Sequence, residues 1–375
     1  MLAYLDHAAS APLRPEAAAA MIPWLTGRFG NPSGAHQVAR AARAAVDEAR
    51  DAVAAAIGVE PGGVTFTSGG TEADNLAILG SLAARPGPVV VSAVEHPAVM
   101  GAAAASGQEV RMASVGADGL VDLEALRRLL DREVTLVSIQ LANHETGVLQ
   151  SLPDVARLVR RLAPKAVLHT DAVQAASWVD LPVAAADADL ISVSGHKLGG
   201  PQGTGVLAAR GRPSLRPILH GGGQERELRS GTHNVAGIVG LGAAISVARS
   251  ERGRAANRVQ VHRDDLARRL VQAIPDLIET AAGAPRTPGH LHVRVPGVES
   301  ETLLVLLDEA GVCASAGAAC ASGAMEPSAV LLALGVPKEE ALSSLRLTLG
   351  ATTTAADIDL AAAAVPAAVA RLRST

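Results

Sequence analysis

Aromatic residues are nearly missing from this chain: its 375 residues include two Trp, one Tyr and two Phe. So few rings cannot readily assemble the base-stacking platforms that hold single-stranded nucleic acid. The core must instead be built from Ala, Val and Leu, which implies closely packed helices. An excess of basic charge is also lacking. Lys and Arg number 33 against 37 Asp and Glu, a net charge of −4, so no positive field is available to hold nucleic acid or an anionic membrane surface. No uninterrupted apolar run is long enough to span a membrane. The N-terminus MLAYLDHAAS carries Asp6 where a signal peptide would carry basic residues, and a soluble, cytoplasmic protein is expected. Cysteine is scarce as well. Cys313 and Cys320 cannot form a disulfide framework, and their spacing fits neither a redox pair nor a zinc pair; at least one is expected to be a working thiol.

What the chain does have is apolar content, 49% against 19% charged, enough for one large core or two and too much for disorder. From about residue 40 onward, short apolar runs alternate with Ala-rich helical stretches. VTF (64–66), PVVVSAV (88–94), TLVSIQLA (135–142), AVLHTDA (166–172), ADLISVSG (188–195) and GTGVLAA (203–209) read as buried strands. DNLAILGSLAA, VDLEALRRLL and LPDVARLVRRL, lying between them, carry apolar residues at helical spacing. This alternation predicts an α/β fold with a mostly parallel sheet covered by helices on both faces, and ligands of such sheets gather at the carboxyl ends of the strands.

A long Ala-rich helical stretch follows from residue 235, and the pattern changes near residue 255. Strand signals at HLHVRVP (290–296) and SLRLTLG (344–350), with helical ETLLVLLDEA and a helical C-terminus, predict a smaller α+β domain. The expected division is a large domain over 15–254 and a small domain formed by 1–14 and 255–375, the N-terminal residues crossing over to pack on it. The tail AAAAVPAAVA reads as the end of a surface helix.

Three segments carry candidate chemistry. In FTSGGTEADNLAIL (66–79) a strand runs through Ser68-Gly69-Gly70 into a helix starting near Thr71, where free amides and the absence of side chains make a phosphate cradle. On its own the segment reads equally well as a Thr-capped helix after a glycine turn, and it lacks the lysine-bearing glycine loop of nucleotide-binding proteins. In VSGHKLGGPQGTG (193–205), Lys197 leaves the end of a buried strand, where desolvation lowers the pKa of an amine, as imine formation requires. Alone, it is also what a surface lysine in a glycine loop looks like. HTDAVQ (169–174) shifts the balance, because Asp171 ends another strand, with Gln174 three residues on, and a buried carboxylate there needs a cationic partner. A protonated pyridine nitrogen would serve. Phosphate cradle, strand-end Asp and strand-end Lys, in that order, are the parts of a pyridoxal 5′-phosphate site.

With these residues in view, the chain resembles the pyridoxal-phosphate-dependent cysteine desulfurases. LDHAASAPLRPEA, GNPSGAH, FTSGGTEADNLAI, EHPAV, NHETG, HTDAVQ, SGHKLGGPQGTG, GGGQERELRSGT, SAGAACASGAMEPSAVLLALG and SSLRLTLG look like that family's signatures, in family order and over almost the whole chain. The cysteine segment is similar to the iron–sulfur-cluster and nitrogen-fixation type. The resemblance implies a PLP-dependent transferase type I fold whose large domain carries a seven-stranded sheet. It also implies that Lys197 holds the cofactor covalently, that Asp171 pairs with the pyridine nitrogen, and that Gln174 bonds the phenolic oxygen. His96, which alone could be an ordinary satisfied side chain after a strand, would stack on the ring and handle protons. Phosphate contacts would come from Gly70, Thr71, Ser194 and His196, with Thr232 reaching in from a second subunit of a homodimer.

By the same resemblance Arg346, which alone could be an exposed strand arginine, receives the substrate carboxylate as a bidentate pair, with Asn143 beside the substrate. Cys320 aligns with the nucleophile that takes sulfur as a persulfide, in a Gly, Ala and Ser setting where a mobile loop is expected. Cys313 reads as a core thiol. The implied reaction converts L-cysteine to L-alanine. Its sulfur would pass to an acceptor protein: an iron–sulfur scaffold, or a tRNA-, DNA- or metabolite-thiolation factor. No metal is expected, since the histidines show no ligand-pair spacing.

Two departures from the family pattern stand out. His144 occupies the place of a usual asparagine near the cofactor ring, where its imidazole can still donate one hydrogen bond to the phenolic oxygen; His7 replaces an asparagine or another small residue. A selenocysteine lyase or an aminotransferase on the same scaffold is the alternative enzyme, and an idle partner-binding scaffold the alternative of another class. A binding module has no use for Lys197, Asp171 and Cys320 together.

Overall fold

The computed structural model describes residues 2–316 and 326–374. Among the described residues twelve strands form three sheets. In chain order they are β1 (Ala3–Tyr4), β2 (Val64–Thr67), β3 (Val89–Ser92), β4 (Val110–Ala113), β5 (Leu136–Ser138), β6 (Val167–Asp171), β7 (Leu190–Ser194), β8 (Gly205–Ala209), β9 (Ile278–Glu279), β10 (His290–Arg294), β11 (Val312–Cys313) and β12 (Ser344–Thr348). The largest sheet has seven strands in the order β2-β8-β7-β6-β5-β3-β4. Its central pairs are parallel, and β8 runs antiparallel to both β7 and β2.

Six of the seven strands coincide with the apolar runs of the sequence, because a strand buried on both faces needs apolar side chains on both. β4 was not expected. It is an edge strand with Val110 and Met112 exposed, so its residues give no continuous apolar run. The run at 135–142 contributes strand only over Leu136–Ser138 and then turns at Ala142, which bridges to Leu149.

Strand directions decide where chemistry can occur. β2 and β7 both run antiparallel to β8, so their carboxyl ends lie at the same edge. Gly205 at the start of β8 pairs with both Thr67 and Ser194, and Asp171, ending β6, pairs with Ser192 next door. The Gly69-Gly70 turn, Asp171 and the Ser194–Lys197 turn are thereby brought to one edge. A Cβ at Gly205 would lie 2.5–2.7 Å from the backbone of Gly69, so only glycine lets the turn approach the sheet this closely.

The helix Val235–Ala273 runs unbroken through residue 255. Its first half buries Ile238, Leu241 and Ile245 in the core of the seven-stranded sheet, and its second half buries Val259, Leu266 and Leu270 in another core with β10 and β12. The change of pattern near residue 255 is therefore a change of packing partner within one helix. The N-terminal segment joins the second core: β1 pairs parallel with β11, and Asp6 bridges to Thr348. The C-terminal tail corrects the expected surface helix end, because Ile358, Ala361, Val365 and Val369 of Ala355–Arg373 are buried there, and the helix continues past Pro366. Cys313 is half-buried on β11, not a fully enclosed core thiol. No helix of the described residues is long and apolar enough to cross a membrane.

Gly205→Ala should lower unfolding free energy by about 1–3 kcal/mol, the cost of forcing a methyl group into a filled space, as read by denaturant titration. An unchanged midpoint would contradict the close approach of the turn to β8.

Candidate active site

At the carboxyl edge of the seven-stranded sheet lies a cleft of about 280 Å³. One wall is the start of the helix Gly70–Ala84, whose first amides have no partner within the helix. A Cβ on Gly70 would stand 2.8 Å from Val173 Cγ2, so glycine keeps this corner open. Glu72 steadies the turn by accepting from the Ser68 amide at 2.7 Å and from Arg229 at 2.8 Å. Gly70, Thr71, Ser194 and His196, expected together from the sequence, do line this wall.

Asp171 forms part of the floor. Its carboxyl is buried and accepts from the Val173 amide at 2.8 Å; among the described residues no guanidinium or ammonium group bonds to it. Burial pushes its pKa up, while the Val173 amide, His96 and Lys197 pull it down. A second carboxyl, Asp74, shares the floor, 1% exposed; its Oδ1 accepts no hydrogen bond among the described residues and lies 3.6 Å from His169 Nε2. Burial and the Asp171 charge hold it well above the usual carboxylate range. Asp74, His96 and Asp171 offer atoms that lie within 4.8 Å of one another.

His96 caps the helix Pro97–Ala105, its Nδ1 accepting from Ala98 N at 3.1 Å. Its ring meets His144 edge to face, with centroids 5.2 Å apart. Burial lowers both imidazoles, His144 further because His96, Arg346 and Lys197 surround it. Both rings are therefore neutral near pH 7, and His144 Nδ1 has no partner.

Lys197 sits in the single helical turn after β7. Its Nζ donates to the carbonyls of Ala8 and Ala9, and Gln174 Nε2 donates to the same Ala8 carbonyl at 2.9 Å. Burial and the charge of Arg346 lower the lysine to about 8, against the opposing pull of Asp6 and Asp171. Arg346, on β12, faces the same cleft. It is not free: Nη2 pairs with Asp6 at 2.9 Å and Nη1 donates to the His144 carbonyl at 3.0 Å, leaving Nε unpartnered. His7 lies just outside, its ring edge-to-face with Tyr4 and lowered by burial to about 4.

Two sequence-based expectations fall outside this cleft, and a third lies outside the described residues. Asn143, expected beside the substrate, is not among the residues lining the cleft. Its Nδ2 donates to the Val94 carbonyl, and its Oδ1 accepts from the amides of Glu145 and Thr146, so its polar atoms are spent on the turn that presents His144. Thr232 is exposed and away from the cleft of its own chain. Cys320 lies outside the described residues.

The buried acids Asp74, Glu95 and Glu145 were missed. The sequence held one signal for the first: Asp74 falls on the apolar face that Ala77, Ile78 and Ser81 define in its helix, where a carboxylate has no solvent to reach.

In the coenzyme-free protein, acylation of Lys197 by a small amine-selective reagent should rise with a midpoint near pH 8, well below the ~10.4 of an ordinary lysine. Peptide mass mapping across pH reads this directly, and a midpoint near 10 would contradict the desolvated amine.

The model of the aminotransferase class-V family matches residues 3–360. A cysteine desulfurase of Cereibacter sphaeroides is 42% identical over 378 residues, which cover 99% of this chain and 96% of that one. A solved NifS-like protein superposes with a TM-score of 0.91 at 31% identity, covering 99% of this chain and 100% of its own. SspA, solved in complex with cysteine, gives a TM-score of 0.81 at 29% identity over 94% of this chain and 99% of its own. The chain belongs to the aminotransferase class-V family, and within it to the cysteine desulfurases.

Proposed function

We propose that the cleft holds pyridoxal 5′-phosphate and that the protein converts L-cysteine to L-alanine, passing sulfur through Cys320 to an acceptor protein. The carrying observation is that Lys197, Asp171 and Arg346 share one cleft: an amine of lowered pKa, a buried carboxyl without a cation bonded to it, and a guanidinium. Three features fit the coenzyme. The glycine corner at the helix start suits a phosphate, Asp171 lacks the cation that a pyridinium supplies, and Lys197 is partly uncharged near pH 8, as condensation with an aldehyde requires. The cysteine held by the SspA neighbour supports the choice of substrate.

Bound there, the coenzyme supplies an electron sink for charge left at the substrate α-carbon. Lys197 would anchor it and, as a free amine, would hold the substrate α-proton. Asp171 would pair with the ring nitrogen, Gln174 and His144 would donate to the phenolic oxygen, and His96 would cover the ring. Gly70, Thr71, Ser194 and His196 would hold the phosphate, with Thr232 supplied by a second copy in a homodimer. Arg346 binds the substrate carboxylate, in exchange for part of its pairing with Asp6. Cys320, as thiolate, attacks the substrate sulfur: an S–S bond forms, the Cβ–S bond breaks, and its electron pair returns to carbon. Protonation then gives alanine, and a persulfide stays on Cys320 for the acceptor.

Loaded with coenzyme and given L-cysteine without reductant, the protein should release alanine in proportion to a one-sulfur mass gain on Cys320. Cys320→Ser should bind coenzyme but release no sulfide when reductant is supplied. Arg346→Ala should lower kcat/KM for cysteine about 10- to 150-fold, the worth of a hydrogen bond to a charged group. A keto acid product without a sulfur adduct would instead mark an aminotransferase.

A further inference from the structure

Glu145 has no part in the chemistry above, yet it is 4% exposed and sits directly behind His144, which lines the cleft. A buried carboxyl is costly unless it is bonded. Its two oxygens face different partners. Oε2 accepts from Ser328 Oγ at 2.6 Å, and Oε1 lies 3.7 Å from His144 Nε2. Ser328 in turn caps the helix Ala329–Ala333, its Oγ accepting from Leu331 N at 3.1 Å. Val330 and Leu334 then bury against Val94 and Val148, which belong to the loops after β3 and β5. One carboxyl therefore fastens this helix to the turn that presents His144.

The other side of the same corner is held by β12. Ser315 exchanges backbone hydrogen bonds with Arg346, and Ser344 Oγ donates to the Ala316 carbonyl at 2.7 Å. Arg346 itself donates to the His144 carbonyl. The chain on either side of residues 317–325, which include Cys320 in the sequence, is thus tied to one corner of the cleft, through Arg346 on one side and Glu145 on the other.

We propose that Glu145 is a positioning residue for sulfur transfer: by holding Ser328 while facing His144, it fixes the chain that follows the Cys320 segment against the corner where Arg346 receives the substrate. This rests on the desulfurase reading. Burial raises the Glu145 carboxyl to about 7, with Ser328 and Arg346 opposing the rise. Ser328 can donate to a carboxyl oxygen in either protonation state, so a glutamine oxygen can replace it.

The test uses the full-length, coenzyme-loaded protein with Glu145→Ala, Glu145→Gln and Ser328→Ala. For each, coenzyme absorbance, thermal melting, KM for cysteine, and the single-turnover rate of the one-sulfur adduct on Cys320 are measured. Glu145→Ala and Ser328→Ala should slow adduct formation about 10- to 100-fold, the scale of a small misplacement of reacting groups, with KM and absorbance unchanged and melting lowered only by the few degrees that a lost helix cap costs; Glu145→Gln should restore the wild-type rate. Wild-type adduct rates in both truncated variants would overturn the proposal. So would a loss that follows coenzyme release and melting step for step, or a glutamine variant as slow as the alanine one. If the wild-type protein forms neither alanine nor adduct, the desulfurase reading itself fails, and the proposal falls with it.

Discussion

An amine partly withdrawn from water, that of Lys197, is the constraint around which the cleft is organised. Held by the carbonyls of Ala8 and Ala9 and facing Arg346, it gives up its proton more easily than a lysine in solvent. The same withdrawal acts with opposite sign on the acids: Asp171, Asp74, Glu95 and Glu145 are all raised by burial. The imidazoles of His96, His144, His290 and His292 are lowered by it. In so desolvated a cleft a phosphate would meet the unpartnered amides of the helix start, and a pyridinium would meet Asp171, to which no cation among the described residues is bonded.

This arrangement depends on long-range topology. The carboxyl edge of the seven-stranded sheet supplies Asp171 and Lys197 from the interior strands β6 and β7, and the glycine turn from the edge strand β2, which is held by its four-residue pairing with β8. The smaller core supplies Arg346 on β12. The N-terminal strap joins the two: β1 pairs with β11, Asp6 pairs with Arg346, and the next residues offer carbonyls to Lys197. Four residues of chain, Asp6 to Ala9, thus set the distance between the amine and the guanidinium.

Much of this was legible in the sequence for a definite reason. Lys197, Asp171 and Gly70 sit where a buried apolar run stops at a glycine or a turn, and such endings mark the functional edge of a parallel sheet. The seven strands were clear where both faces are covered and obscure at β4, where one face is not. Asp74 and Glu145 were missed because an acid within a helix or turn normally reads as a solvated group; only the packing around them shows otherwise. The pairing of Asp6 with Arg346 spans almost the whole chain and leaves no local pattern. The part Asn143 plays in its own turn was likewise not legible, because its side chain accepts from amides two and three residues on.

The most direct test is reductive trapping. The chain contains three lysines, Lys165, Lys197 and Lys338. Addition of pyridoxal 5′-phosphate, reduction with borohydride and peptide mass analysis should place a single phosphopyridoxyl group on the peptide bearing Lys197. A group on either of the other two lysines with Lys197 unmodified, or no group at all, would contradict the account.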